Sequence, residues 1–295
     1  MSARRRIVRV PASTANLGPG YDVLGAAIAF ELELEVAESG SFEVVSEGID
    51  APTDRSNLIV RAFEVLHPAE GLSFRVRSPI PLARGLGSSA SAILAGLLAA
   101  DHMFELANDR EQILARATEI EGHPDNVAAA LYGGITLCPP REAGRAQPAP
   151  VRLAPPEGVE GILVIPHEEV STSAARAALP GEYTLADLTH NVAAAAQLVL
   201  GIERSDLDLI RAGLADRVHQ PHRASLYPRS MELVERAPEM GALGATISGA
   251  GPTVLVWAYW QSGKGLLDRL HEFAGDWAEV RRAQFSPRGA RVELG

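Results

Sequence analysis

The sequence predicts an α+β protein built as two sandwiches in series. Three observations point there. The chain opens on strand-like alternation, helical spacing interleaves with short strands from about residue 57 onward, and a proline-dense stretch, CPPREAGRAQPAPVRLAPPEG, occupies residues 138–158. Its six prolines interrupt any helix and favour extended or turning chain. A domain boundary is therefore placed after residue 150, giving one domain over 1–150 and a second over 151–295.

Taken in order, residues 7–10 alternate apolar positions with arginine and read as a half-buried strand. The Gly-, Pro- and Asn-rich run ASTANLGPGYDVLG reads as a loop, after which 26–36 and 42–46 resume strand patterning. Leu58, Ala62, Val65 and Leu66 give 57–67 helical spacing, and 72–77 alternates as a strand. Helices are expected over 90–107, 110–120 and about 125–131, with a short strand at 135–138. Beyond the prolines, GILVIP is a strand, and helices follow near 173–179, 185–200, 207–219 and 230–236. ATISGAGPTVLVWAY reads as strand, glycine turn, strand, and a helix at 265–273 and a strand at 280–285 complete the pattern.

Composition narrows the function classes. With 295 residues, 46% hydrophobic and 22% charged, the chain can bury one large core or two ordinary ones. A formal net charge of −10 disfavours nucleic acid as a partner, since phosphate-backbone binding uses a basic face. The single Cys138 excludes an intramolecular disulfide and reads as a small buried hydrophobe. The N-terminal MSARRRIVRV lacks the apolar core of a signal peptide, and runs such as AAAAQLVLGI fall short of the ~20 residues that span a bilayer. The expectation is a soluble, cytoplasmic protein that binds neither nucleic acid nor membrane.

The most informative segment is PLARGLGSSASA, residues 81–92, which leads into an apolar, alanine-rich helix. Gly85 and Gly87 let backbone N–H groups turn toward an anion, and a helix N-terminus adds about half a positive charge at the same point. Ser88, Ser89 and Ser91 offer hydroxyls to phosphate oxygens or a metal ion. No lysine follows the glycines, so this is not the GxxxxGK[ST] phosphate loop, and charge neutralisation falls to a magnesium ion held by a carboxylate. Gly85, Gly87 and Ala90 also satisfy GxGxxA, but helical patterning where a second strand should end in an acid argues against a dinucleotide site. A tight strand-to-helix turn whose serines merely cap the helix would give the same string.

Four further constellations carry polar groups. Asn16 and Asp22 lie in the first loop among glycines, where Asn and Asp are also ordinary turn formers. EGHPDN, residues 121–126, packs Glu121, His123, Asp125 and Asn126 into six positions, and Glu121 is an oxygen ligand suited to Mg²⁺. The alternative there is that Asp125 caps the next helix and Glu121 is solvated. Arg176 and Arg223 are natural clamps for a carboxylate or phosphate, although most arginines are surface groups. SGAGPT at 248–253 is a second glycine loop, equally readable as a plain turn.

Together these segments resemble the GHMP family of small-molecule kinases, named for galactose, homoserine, mevalonate and phosphomevalonate. PASTANLGPGYDVLG resembles the first family signature, PLARGLGSSAS the second and TISGAGPTV the third, so the similarity covers essentially the whole chain. Within the family, PASTANLGPGYDVLG, EGHPDNVAAALYGG, STSAARAALP and HRASLYP resemble the members that act on homoserine. The resemblance implies an N-terminal domain like domain 2 of ribosomal protein S5, a C-terminal ferredoxin-like α/β sandwich, and ATP and substrate in the cleft between them. It implies transfer of phosphate from ATP to the side-chain hydroxyl of L-homoserine, in threonine biosynthesis. A kinase for another small alcohol, or a non-catalytic nucleotide sensor on the same fold, are the alternatives.

Carried over by position, the resemblance implies that Pro81, Leu82, Ala83, Arg84, Gly85, Leu86, Gly87, Ser88, Ser89, Ala90 and Ser91 cradle ATP and that Asn57 approaches the adenine. Ser88 or Ser89 with Glu121 would hold Mg²⁺. Asn16, Asp22, His123, Asn126, Arg176 and Arg223 would line the amino-acid pocket, with Asp22 on the ammonium and the arginines on the carboxylate. Ser248, Gly249 and Gly251 would form the floor. Ser89, Glu121 and Asn126 are the candidate catalytic residues, Asn126 as a group orienting the hydroxyl. The motif PASTANLG has no lysine for a lysine–aspartate activating pair, so no general base is assigned. Because relatives are often dimers, a homodimer follows by analogy.

Overall fold

The computed structural model describes residues 4–142 and 144–294. From the N-terminus the elements are β1 (Arg5–Ala15), β2 (Leu24–Glu38), β3 (Glu43–Glu47), α1 (Leu58–Glu64), β4 (Leu72–Arg77), α2 (Ser88–Phe104), α3 (Arg110–Glu121), α4 (Asp125–Tyr132), β5 (Ile135–Leu137) and β6 (Val151–Leu153). There follow β7 (Val159–Pro166), α5 (Thr172–Ala177), α6 (Leu185–Arg204), α7 (Leu207–Gly213), a 3-10 turn at Pro221–Leu226, α8 (Pro228–Arg236), β8 (Gly244–Ile247), β9 (Val254–Tyr259), α9 (Gly263–Ala274), β10 (Ala278–Ala283) and β11 (Arg291–Leu294).

Two sheets result. The larger runs β11-β1-β2-β4-β3, with β5 on the early part of β2 and β6 on β5; among the described residues only β3 and β4 are parallel. The smaller runs β10-β7-β9-β8, all antiparallel. The proline-rich segment expected to link two domains instead connects two paired strands, since Val151–Leu153 hydrogen-bonds back onto Ile135–Leu137. The C-terminal β11 likewise returns to the larger sheet beside β1. Neither strand is separable from the first half, so the sheets do not divide at residue 150.

Burial explains the sequence patterns. α2 has apolar residues all round because it is buried against β1, β2, α1, α3 and α4, with Ile93, Leu94, Leu97 and Met103 in the core. GILVIP shows no alternation because both faces of β7 are covered. Ile162 and Val164 pack with Leu233, Leu266 and Leu270 of α8 and α9, while Leu163 and Ile165 join the main core with Leu198 of α6. Cys138 is buried, and burial pushes its thiol up to about 11, which fits the inert role expected of it.

α6 differs from expectation. At 20 residues it is long and apolar enough, by length and composition alone, to cross a membrane, because an 18-residue stretch of it carries at most two charged side chains. In the fold it packs on α7, where Gly201 meets Ile210 and Leu198 meets Gly213, while Asn191 bonds the Pro19 carbonyl and Asp216; Leu185, Leu188, Val192 and Leu200 stay exposed.

Candidate active site

The β1–β2 loop, the start of α2, the α3–α4 junction, α5 and the 248–251 turn converge on one cavity of about 180 Å³. The two halves of the chain are tied together at its floor. Asn16, with φ of 70°, donates from Nδ2 to the Gly249 carbonyl at 2.9 Å and accepts the Asp22 N–H at 3.0 Å. Ser248 Oγ lies 2.6 Å from the Gly85 carbonyl and 2.7 Å from Thr14 Oγ1.

Gly87 occupies the left-handed region immediately before α2, and no side chain caps that helix. Its first-turn N–H groups are therefore left for another acceptor, in a wall formed by Gly85, Leu86, Gly87, Ser88 and Ser89. The serines of the loop therefore do not cap the helix. Gly85 is required by contact as well as by its φ of +74°, since a Cβ there would sit 2.1 Å from the Ser248 carbonyl oxygen. Gly85→Ala is expected to push the loop off the 248–251 turn and weaken ATP binding at least tenfold, measurable by calorimetry; unchanged affinity would contradict the cradle.

Opposite the serines, the C-terminal residue of α3 brings Glu121 to within 2.6 Å of Ser89 Oγ, which donates to it. Burial pushes the Glu121 carboxyl above its ordinary range, against the pull of the Ser89 hydrogen bond. Gly122 then ends the helix in the left-handed conformation and turns the chain so that His123, Asp125 and Asn126 face the same cavity. His123 Nδ1 lies 2.6 Å from the buried Asp125 carboxylate, which also accepts the Asn126 N–H. Burial lowers the His123 pKa, but that hydrogen bond and the nearby carboxylates outweigh it, for a net rise. Asn126 Oδ1 accepts from Ser13 Oγ at 2.9 Å.

On the far wall Arg176 is not free. It grips Asp22 with two hydrogen bonds of 2.9 and 3.0 Å and donates a third, of 2.8 Å, to the Tyr21 hydroxyl. The residues expected to take opposite ends of one ligand thus hold each other here. Arg223 is only 2% exposed and is held by neutral groups, the Ala175 carbonyl at 2.8 Å and His219 Nδ1 at 3.3 Å. His219 is wholly buried, with Nε2 donating to the Gly18 carbonyl. Its other nitrogen must then accept from Arg223, which makes it neutral, in line with burial lowering its pKa.

A second, more apolar cavity of about 260 Å³ adjoins the first and shares Ser88 and Ser89 with it. It is lined by Ile49, Pro52, Asn57, Leu58, Leu82 and Ala92 among others. Asn57 caps α1, with Oδ1 accepting from Ile59 and Nδ2 donating to Pro52, which leaves one amide hydrogen for a ligand.

Of the residues singled out from sequence, Asn16, Asp22, Ala83, Gly85, Leu86, Gly87, Ser88, Ser89, Glu121, His123, Asn126, Arg176, Arg223 and Gly249 line the first cavity, and Asn57 and Leu82 the second. Pro81, Ala90, Ser91, Ser248 and Gly251 line neither. Ala90 is buried beneath the loop, and Ser91 Oγ lies between the Pro11 and Gly87 carbonyls. Ser248 braces Gly85 from behind, and Gly251 packs against Tyr227. Arg84 turns away from the cradle to the end of β7, donating to the Pro166 and His167 carbonyls. Sequence reasoning passed over Tyr21, Asp125 and Thr172 as site residues. The first two stand beside Asp22 and Asn126 in the motifs, which was the available signal.

Chemically, an uncapped helix N-terminus with serine hydroxyls suits a polyphosphate. The apolar cavity on one side suits a base, and the charged cavity on the other suits a small ligand bearing both charges. Comparison with known proteins agrees. The description "GHMP kinases N terminal domain" matches residues 57–134 and "GHMP kinases C terminal" residues 198–283. Homoserine kinase from Deinococcus radiodurans is 41% identical over 282 residues, covering 93% of this chain and 90% of its own. Homoserine kinase from Thermus thermophilus is 43% identical over 252 residues, 83% and 84% of the two chains. The crystal structure of homoserine kinase from Cytophaga hutchinsonii superposes with a TM-score of 0.85 at 27% identity, over 99% of this chain and 98% of that one. With two-domain architecture, motifs and cavity in agreement, the chain belongs to the GHMP kinases and, within them, to the homoserine kinase family.

Proposed function

We propose that this protein transfers the γ-phosphoryl group of ATP to the side-chain hydroxyl of L-homoserine, giving O-phospho-L-homoserine and ADP in threonine biosynthesis. The observation that carries the reading is that Ser88 and Ser89, at the open end of α2, line both cavities. A triphosphate seated there, with its base in the apolar cavity, presents its terminal group to the charged one. The amino acid's ammonium is met by Asp22 and its carboxylate by Arg176 and Arg223, while Asn126 orients the hydroxyl toward the phosphate. Phosphoryl transfer depends mainly on in-line positioning and charge stabilisation, which the helix N-terminus and loop amides supply.

The donor set also fits Mg²⁺, because Glu121 is a part-buried carboxylate whose hydrogen-bond partner among the described residues is a serine hydroxyl, and oxygen ligands with phosphate complete such sites. Glu121, Ser89 and Ser88 would hold the ion, which when bound offsets charge on the transferring group. A coupled assay tests the reading. Magnesium-dependent ADP release with L-homoserine well above background is expected, and turnover of another alcohol in its place would reject it.

A homodimer is part of the proposal, and it would work in the cytoplasm, where ATP is supplied. The support for the dimer is the exposed stripe Leu185, Leu188, Val192 and Leu200 on α6, beside a largely apolar groove of about 770 Å³. A two-fold axis would place this face against its own copy, the same patch on both chains, so that a second copy is its occupant. Sedimentation velocity should give twice the chain mass, reverting to one chain in Val192→Glu; a wild-type monomer at micromolar concentration would refute it.

A further inference from the structure

Tyr21 stands where the two arginines meet, and neither the family motifs nor the proposed chemistry gives it a role. Its ring centroid is 5.7 Å from the Arg176 guanidinium carbon and 5.3 Å from that of Arg223. Its hydroxyl accepts from Arg176 Nη1 at 2.8 Å, and its ring lies 5.3 Å from that of His219, which in turn holds Arg223. One aromatic side chain from the β1–β2 loop thus spaces two cations that come from separate elements, α5 and the 221–226 turn.

The ion pair between Asp22 and Arg176 gives this spacing a consequence. If homoserine binds as proposed, which this inference takes as given, the ammonium draws Asp22 and the carboxylate draws Arg176, so both bonds between the two side chains are exchanged for bonds to ligand. Arg176 is about 40% exposed and sits on a helix of six residues, so little else fixes its head once Asp22 lets go. The hydrogen bond to the Tyr21 hydroxyl and the ring face are the contacts that need not break.

We infer that Tyr21 is a positioning residue for the amino-acid substrate, holding Arg176 at a set distance from Arg223 while Asp22 and Arg176 exchange each other for the two ends of L-homoserine. A ligand lacking either charge leaves one member of the opened pair unpartnered, so the device also selects for an amino acid over a simple alcohol.

The test is initial-rate kinetics on the full chain and on Tyr21→Phe, Arg176→Ala and the double variant, with calorimetric titration of L-homoserine alongside. Removing only the hydroxyl in Tyr21→Phe is expected to raise the KM and Kd for L-homoserine roughly tenfold, the scale of a hydrogen bond to a charged group, with kcat and the KM for ATP within about twofold of wild type. In the Arg176→Ala background the same change should have no further effect, because Tyr21 acts through that guanidinium. Unchanged KM in Tyr21→Phe overturns the inference while leaving the proposed reaction standing. So does a tenfold loss that persists without Arg176, or a parallel loss for ATP, since each marks a general structural role. Absence of L-homoserine turnover by the wild-type chain overturns both.

Discussion

Glu121→Gln lowers kcat by at least two orders of magnitude and leaves the fold intact. The substitution keeps the shape of the side chain and its reach to Ser89, and removes the one charge that faces the phosphate cradle from α3. Loss of a single preorganised electrostatic group costs about this much elsewhere. The structure adds a second, opposite effect. A carboxyl whose pKa is raised by folding favours the fold below its unfolded pKa and loses that contribution as pH rises through the folded value. The charged form of the part-buried Glu121 therefore opposes folding, and the glutamine relieves it. The ligand-free variant should melt higher than wild type at pH 7, with the gap closing as the pH falls below the ordinary glutamate value of 4.5, where the carboxyl becomes neutral in both states. Near-normal kcat at saturating magnesium, measured by the coupled assay, would contradict the metal role, and a lower melting temperature at pH 7 would contradict the burial argument.

Arg223→Lys raises the KM for L-homoserine by about a hundredfold with a much smaller effect on ATP. Among the described residues Arg223 is held by carbonyls and a neutral imidazole rather than by a carboxylate, and it is almost completely buried. A buried cation without an anion is costly unless a ligand brings one. The planar fork can keep its protein partners on one side and grip a carboxylate on the other; lysine keeps the charge, loses the geometry and can replace only some of the bonds. Initial rates at varied L-homoserine decide the matter, and an unchanged KM would remove Arg223 from the pocket. The effects on Arg223 and Tyr21 should not be additive, because the two side chains are in contact.

Much of this was legible in the chain because the informative residues are clustered. The cradle 85–89, Asn16 with Asp22, and 121–126 each lie within a few positions and come together as single loops. What was not legible depends on distance. The Asp22–Arg176 pair joins residues 154 apart, so sequence could name both groups and still not show that they bind each other. β6 and β11 are three and four residues long and exist only through partners far along the chain, Ile135–Leu137 and β1. The helix read as 207–219 stops at Gly213, whose backbone packs against Leu198 too closely for any Cβ. Beyond it the Asp216 carboxylate gathers the N–H groups of Val218, His219 and Gln220 into a turn. That turn sets His219 and Arg223 in place, and periodicity cannot reveal it.

In the proposed reaction the open end of α2 grips a nucleotide's phosphates while an amino-acid alcohol sits beside it. A crystal structure of the chain with L-homoserine and a non-hydrolysable ATP analogue tests this most directly. Phosphate oxygens are expected on the N–H groups of residues 87–89, the base between Pro52, Asn57 and Leu82, and the amino acid's carboxylate on Arg176 and Arg223 with the Asp22–Arg176 pair opened. Phosphates bound elsewhere, with the Gly85–Ser89 wall facing solvent alone, would contradict it.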